Sequence, residues 1–140
     1  MPAPVEFVDG LIHEPSQTGD GSVDLTVDSI ARITDPGQAD FGGDEYAEPG
    51  TESVVPEKRD PDDDYGWWEL DAGVYLLDYN ESLSSANVSF VLQPHDRILA
   101  LGASHPTVHV TDLGSVPLSV PDGGVALKEN ARVSRLLDTE

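Results

Sequence analysis

The chain has 140 residues and sets 27 Asp and Glu against 7 Lys and Arg, for a formal net charge of −20. That charge excludes nucleic acid and anionic lipid as partners, because both need Lys and Arg to displace their counterions. The absence of cysteine excludes disulfides and zinc–thiolate centres. The length predicts one domain over residues 1–140, large enough to bury roughly two thirds of the unfolded chain's surface. No apolar run approaches the ~20 residues of a membrane span, and the N-terminus carries no basic-then-apolar leader. A soluble cytoplasmic protein is therefore expected. The acid is spread along the whole chain among ordinary apolar runs, so it reads as adaptation to a high-salt, halophilic cytoplasm rather than as a tail. Near 1 M ionic strength the Debye length is only about 3 Å, which screens self-repulsion.

In chain order, SVDLTVDSIARI (22–33) alternates as a strand, with Val23, Leu25 and Val27 on one face and Asp24, Thr26 and Asp28 on the other. Residues 35–64 have few apolar anchors and many turn formers. They predict an irregular acidic loop or arm, with at most a short strand at 53–55. The runs GVYLLDYNESL (73–83) and NVSFVLQP (87–94) are β-rich, and PTVHVTDLG and VPLSV follow. The stretch GGVALKENARVSRLL (123–137) fits a short helix or a strand equally well. The 24 Gly and Pro punctuate the chain every few positions, which predicts an all-β barrel or sandwich.

Four pieces in this order resemble the dUTPase and dCTP deaminase family, in particular its archaeal dUTPase-like branch. GSVDLTV (21–27) is similar to the family's early G-x-D-L strand. GWWELDAGVYLLDYNESL (66–83) resembles its tryptophan-bearing turn and the strand that ends in Asn-Glu. LQPHDRILALGA (92–103) stands at the place of P-R-S-S-L-x-R-x-G, and GGVALKENARVSRLL resembles G-I-x-L-x-x-N-A-R-I-x-Q-L. The resemblance implies a distorted jelly-roll-like β barrel of the dUTPase-like type, assembled as a homotrimer with sites between subunits. It also implies Mg²⁺ and a deoxynucleotide triphosphate as ligands. The family's Arg-Ser-Ser donates to the phosphates, and an Asp in a later hairpin activates water. The Tyr of that hairpin packs on the deoxyribose.

Carried onto this chain, the resemblance assigns substrate binding to His95, Asp96, Arg97 and Gly102. It assigns water activation to Asp112 and a metal-side position to Asp24. The departures are marked. His95-Asp96-Arg97 replaces Arg-Ser-Ser, so an anion stands where a phosphate donor is required. Leu101 precedes Gly102 where the second arginine is missing, and no Tyr follows Asp112. The strand after the shortened hairpin carries no carboxylate that a deaminase would need. The expected function is a non-canonical member that binds a nucleotide or partner without hydrolysing dUTP efficiently. The alternatives are an active dUTP diphosphatase using Asp24, Arg97 and Asp112 with Mg²⁺, and an inert structural or interaction protein.

Other residues carry paired readings. His95, His105 and His109, with Asp96 and Asp112, form either a metal site or a set of loop and interface histidines. Trp67 and Trp68 form either a stacking platform or an anchor in the barrel wall. Tyr75 and Tyr79 read as strand packing, and residues 60–64 as a solvated loop. Arg132, in Asn130-Ala131-Arg132, is expected to pair with a carboxylate, in a segment that resembles the family's trimer-axis region.

Overall fold

The structure is a computed structural model that describes residues 3–84 and 87–139. Its strands are β1 (Val8–Asp9), β2 (Thr18–Gly19), β3 (Ser22–Asp35), β4 (Gly50–Ser53), β5 (Trp67–Leu70), β6 (Gly73–Tyr79), β7 (Ser82–Leu83), β8 (Phe90–Pro94), β9 (Val108–Val110), β10 (Val116–Val120), β11 (Val125–Lys128) and β12 (Arg132–Leu137). Helix is confined, among the described residues, to a 3-10 turn at Pro4–Phe7 and two short helices, α1 (Glu14–Gln17) and α2 (Asp96–Ala100). The ambiguous stretch 123–137 is thus two strands. They are separated by a turn in which Asn130 adopts a left-handed φ of 68°, a conformation that Asn tolerates better than most residues.

The main sheet runs in the order β10-β6-β3-β12-β8-β9, and its pairs are antiparallel. The long strand β3 organises it. Its first half pairs with β12 and β2, its second half with β6 and β4. Register shifts at Val27/Ser29 and Arg132/Ser134 break the ladder where the halves meet, and such bulges bend and twist a sheet. The connection from β9 to β10 crosses from one edge to the other, and a bridge between Ser104 and Ser119 ties the segment after α2 to β10. The sheet therefore curls on itself, as the all-β, jelly-roll-like expectation required.

Inside the curl, Val23, Leu25, Val27, Leu77, Leu118, Val133 and Leu136 are fully buried, with Trp68, Tyr75 and Phe90 the largest buried side chains. No helix among the described residues is long and apolar enough to cross a membrane. Residues 35–64 are more regular than their composition suggests. β4 continues the β3 ladder through Arg32–Glu52 and Ile33–Thr51, and Gln38 and Ala47 exchange main-chain hydrogen bonds of 2.8 and 3.0 Å. Main-chain pairing builds this arm, so it needs no apolar alternation. The strand falls at Gly50–Ser53 rather than 53–55, because Val54 turns inward and donates its N–H to the Ile30 carbonyl.

Candidate functional site

Strand register places Arg135 directly opposite Asp24 and Ser134 opposite both Leu25 and Pro94. His95, one residue beyond Pro94, donates its N–H to the Val133 carbonyl. Its ring thus lies beside the β3–β12 pair. The result is a knot around Asp24, whose side chain is 12% exposed. Arg135 Nε lies 3.2 Å from Asp24 Oδ1. His95 Nε2 and Arg132 Nη1 lie 3.1 and 3.3 Å from Asp24 Oδ2. Arg132 Nη1 also donates to the Ser16 carbonyl at 3.0 Å. The His95 tautomer follows from its second nitrogen. Nδ1 accepts from the Arg97 N–H at 3.1 Å, capping α2, so Nε2 carries the proton and donates it to Asp24.

The sequence position that the resemblance gave to a phosphate-binding arginine is therefore buried and spent on structure. Asp24 likewise offers no open oxygen: each faces a guanidinium or an imidazole. Among the described residues no three His, Asp or Glu side chains gather as a metal set. The residues present do not fit a Mg²⁺ ion held at Asp24. On the polar face of β3, Asp24 and Thr26 are buried and Asp28 is exposed.

Beside this knot opens a cleft of about 320 Å³ lined by Trp67, Arg97, Ile98, Leu101, Lys128 and Arg132 together with Ala126, Leu127, Asn130 and Ala131. Three of the chain's seven Lys and Arg line it, and two more stand next to it. Arg59 stacks over the Trp67 ring, with its guanidinium carbon 3.8 Å from the centroid, and Arg135 bridges Asp24 to Asp96. Among the described residues no carboxylate pairs with the Arg97 guanidinium. Lys128 is bonded to Asp63, and its ammonium holds the Asp63 carboxyl below the ordinary carboxylate range. Trp68 is buried and donates Nε1–H to the Val54 carbonyl at 2.9 Å, while Trp67 walls the cleft.

Arg97 is the one predicted binding residue that reaches this cleft. Asp96 is exposed beside Arg135. Gly102 does not line the cleft. Its φ of 87° ends α2, with Gly102 N–H bonded to the Leu99 carbonyl and Ala103 N–H to the Ile98 carbonyl, the double bond of a Schellman motif. Asp112 sits on the exposed β9–β10 loop and accepts from the Leu113 N–H. This single chain does not bring it to the cleft. Because residues 96–100 are helical, the two-residue offset of Arg97 from the expected arginine also turns it to another face.

The three clustered histidines do not converge. His105 is buried. Its Nδ1 donates to the Pro106 carbonyl at 2.9 Å, and its Nε2 accepts from Ser134 Oγ at 2.7 Å. Ser134 in turn accepts from the Tyr79 hydroxyl at 2.6 Å. Burial pushes the Tyr79 phenol well above its ordinary range, and burial pushes His105 down, against the Pro106 carbonyl. In the window between the folded pKa and about 6.5, the unfolded chain binds more protons than the folded one. Stability is full above about pH 6.5 and falls on acidification through that window, by at most about 1.4 kcal/mol per pH unit from this group. Urea melts between pH 5 and 8 should show this slope and its loss in His105→Gln. Identical slopes in both proteins would contradict it.

Sequence reasoning missed a second buried network. Glu81 is 3% exposed. It accepts from Thr26 N–H at 2.9 Å, Thr26 Oγ1 at 2.6 Å and Gln17 Nε2 at 2.8 Å. Asn80 links Thr26 Oγ1 to Asn130 Oδ1, each at 2.9 Å, and so fixes the turn at the cleft's edge. The signal was the Asn-Glu that ends the β6 segment.

No family model matches the chain, and no curated protein matches it. Among solved structures it is similar to a crystal structure of 2'-deoxycytidine 5'-triphosphate deaminase from Agrobacterium tumefaciens, with 15% identity and a TM-score of 0.59. The two chains share a fold. The match covers 94% of this chain but 43% of the deaminase chain, so this protein spans less than half the length of that one.

Proposed function

We propose that this protein is a nucleotide-binding member of the dUTPase-like fold class that does not hydrolyse dUTP efficiently. The observation that carries the reading is the gathering of cations at one apolar-floored cleft in a chain of net charge −20. An aromatic wall at Trp67 and donors at Arg97, Lys128 and Arg132 suit a flat base bearing phosphates, since charge-assisted donors to phosphate are the strong ones. The deaminase likeness supports a deoxynucleotide as the ligand class. Two features support the loss of hydrolysis: Asp24 and His95 bond each other, and Asp112 lies outside the cleft. Any Mg²⁺ would arrive on the phosphates. The reading keeps the homotrimer that the resemblance implies and the cytoplasmic, high-salt setting that the charge implies.

The test is a thermal-shift titration with dUTP and Mg²⁺ in molar KCl, with pyrophosphate followed in parallel. Ligand at 100 times Kd stabilises the native state by about 2.7 kcal/mol, and no pyrophosphate is expected above the blank. Absence of a shift would sink nucleotide binding. Turnover near or above about 1 per second would favour the active dUTP diphosphatase instead.

A further inference from the structure

The arm formed by β3 and β4 ends in a tip, residues 39–46, that presents an aromatic ring to solvent. Phe41 is 109% exposed, and Tyr46 is 60% exposed. The tip is not frayed. The Gln38–Ala47 bridge closes it, Gln38 Nε2 donates to the Glu45 carbonyl at 2.5 Å, and Asp40 Oδ2 accepts from Glu45 N–H at 3.1 Å. Asp44, Glu45 and Glu48 follow Phe41 in the sequence and are exposed, and no Lys, Arg or His occurs from residue 33 to residue 57. The tip is thus an aromatic knob in an acidic collar. A single exposed ring is ordinary on a protein surface; what sets Phe41 apart is a tip closed by hydrogen bonds in a segment without positive charge.

The matching socket is on the same molecule. The cleft has an apolar floor of Ile98, Leu101, Ala126 and Leu127 and a cationic rim of Arg97, Lys128 and Arg132. Leu101 in that floor and Leu99 beside it are each about half exposed, at 50% and 52%. The full exposure of Phe41 means that the arm does not fill the cleft of its own chain.

We infer that the arm of one copy docks Phe41 and its acidic collar into the cationic cleft of a second copy. The inference rests on reading this cleft as the protein's anion site, and it makes the arm a competitor of the nucleotide. Two chains of net charge −20 repel each other at long range. Docking therefore shows best in molar KCl, where the Debye length is about 3 Å and only contact pairs and apolar burial remain.

Photo-crosslinking tests it directly. Phe41 is replaced by benzoylphenylalanine in full-length protein, and equal amounts of ¹⁵N-labelled and unlabelled chain are mixed and irradiated in molar KCl. Because the ring touches nothing in its own chain, the replacement leaves the fold intact. The expected links join position 41 of one isotope to peptides 97–101 or 126–132 of the other. Arg97→Glu on the receiving copy is expected to lower their yield at least ten-fold. Links elsewhere, links within one copy only, no links, or an unchanged yield with Arg97→Glu would each overturn the inference. Saturating dUTP is expected to suppress the links. Links that persist with dUTP present support the arm and contradict the nucleotide reading, whereas a dUTP thermal shift without any link does the reverse.

Discussion

Replacing Asp24 with alanine is expected to destabilise the fold by about 3 kcal/mol, which at this size lowers the melting temperature by about 10 °C. The change removes the one carboxylate that faces His95, Arg132 and Arg135 together. Breaking a buried pair by deleting one partner typically costs about 3–5 kcal/mol, because the remaining charge is left uncompensated. The lower end applies here. The arginine side chains are 30% and 27% exposed, and water compensates them in part. The loss should exceed that from Arg132→Ala, since Arg132 keeps only one edge of the knot. Urea unfolding in molar KCl measures it, and a loss under about 1 kcal/mol would show that Asp24 behaves as a surface residue.

The second large effect is expected at Glu81. Alanine there strands the Thr26 N–H, the Thr26 hydroxyl and one Gln17 N–H in the interior. Hydrogen bonds to a charged acceptor contribute about 1.5–3 kcal/mol each, so a loss of about 3–5 kcal/mol is expected after partial relaxation. Glu81→Gln discriminates between shape and charge. Oε2 accepts from two donors, and an amide N–H at that place would face the Gln17 N–H. Glutamine is therefore expected to recover less than half of the loss, despite equal size. Full recovery would show that the site needs only volume. Both variants should also loosen the Asn80–Asn130 link and weaken nucleotide binding beyond their effect on stability.

How much of this was legible in sequence depended on how local each feature was. The alternation of Val23, Leu25 and Val27 identified the core face of β3 correctly. It could not tell that Asp24 and Thr26 on the opposite face are covered too, because their covers, Gln17, Glu81 and His95, come from distant parts of the chain. Pro94 and Gly102 bracketed α2, but a five-residue helix has no period to read. Helical geometry is what moves Arg97 off the expected donor position. Arg132 pairs with a carboxylate as expected, but the partner is Asp24, which neither its metal-side position in the resemblance nor its place on an alternating strand indicates. The cleft was the least legible feature. Its cations lie at residues 97, 128 and 132, on different elements; the turn at Asn130 joins Lys128 to Arg132, and the contact of α2 with β12 brings Arg97 to them. The regular arm was hidden for a different reason: its ladder is built from main-chain groups, and both of its faces are polar.

The central claim is that the cations of one cleft hold a nucleotide that this protein does not cleave. Calorimetric titration of dUTP with Mg²⁺ in molar KCl tests it when Arg97→Glu is compared with Lys58→Glu, an equal change of charge at an exposed residue outside the cleft. Saturable binding without turnover is expected in the parent and in Lys58→Glu, and at least ten-fold weaker binding in Arg97→Glu. Equal affinities in all three proteins, or heat from steady cleavage of dUTP, would contradict it.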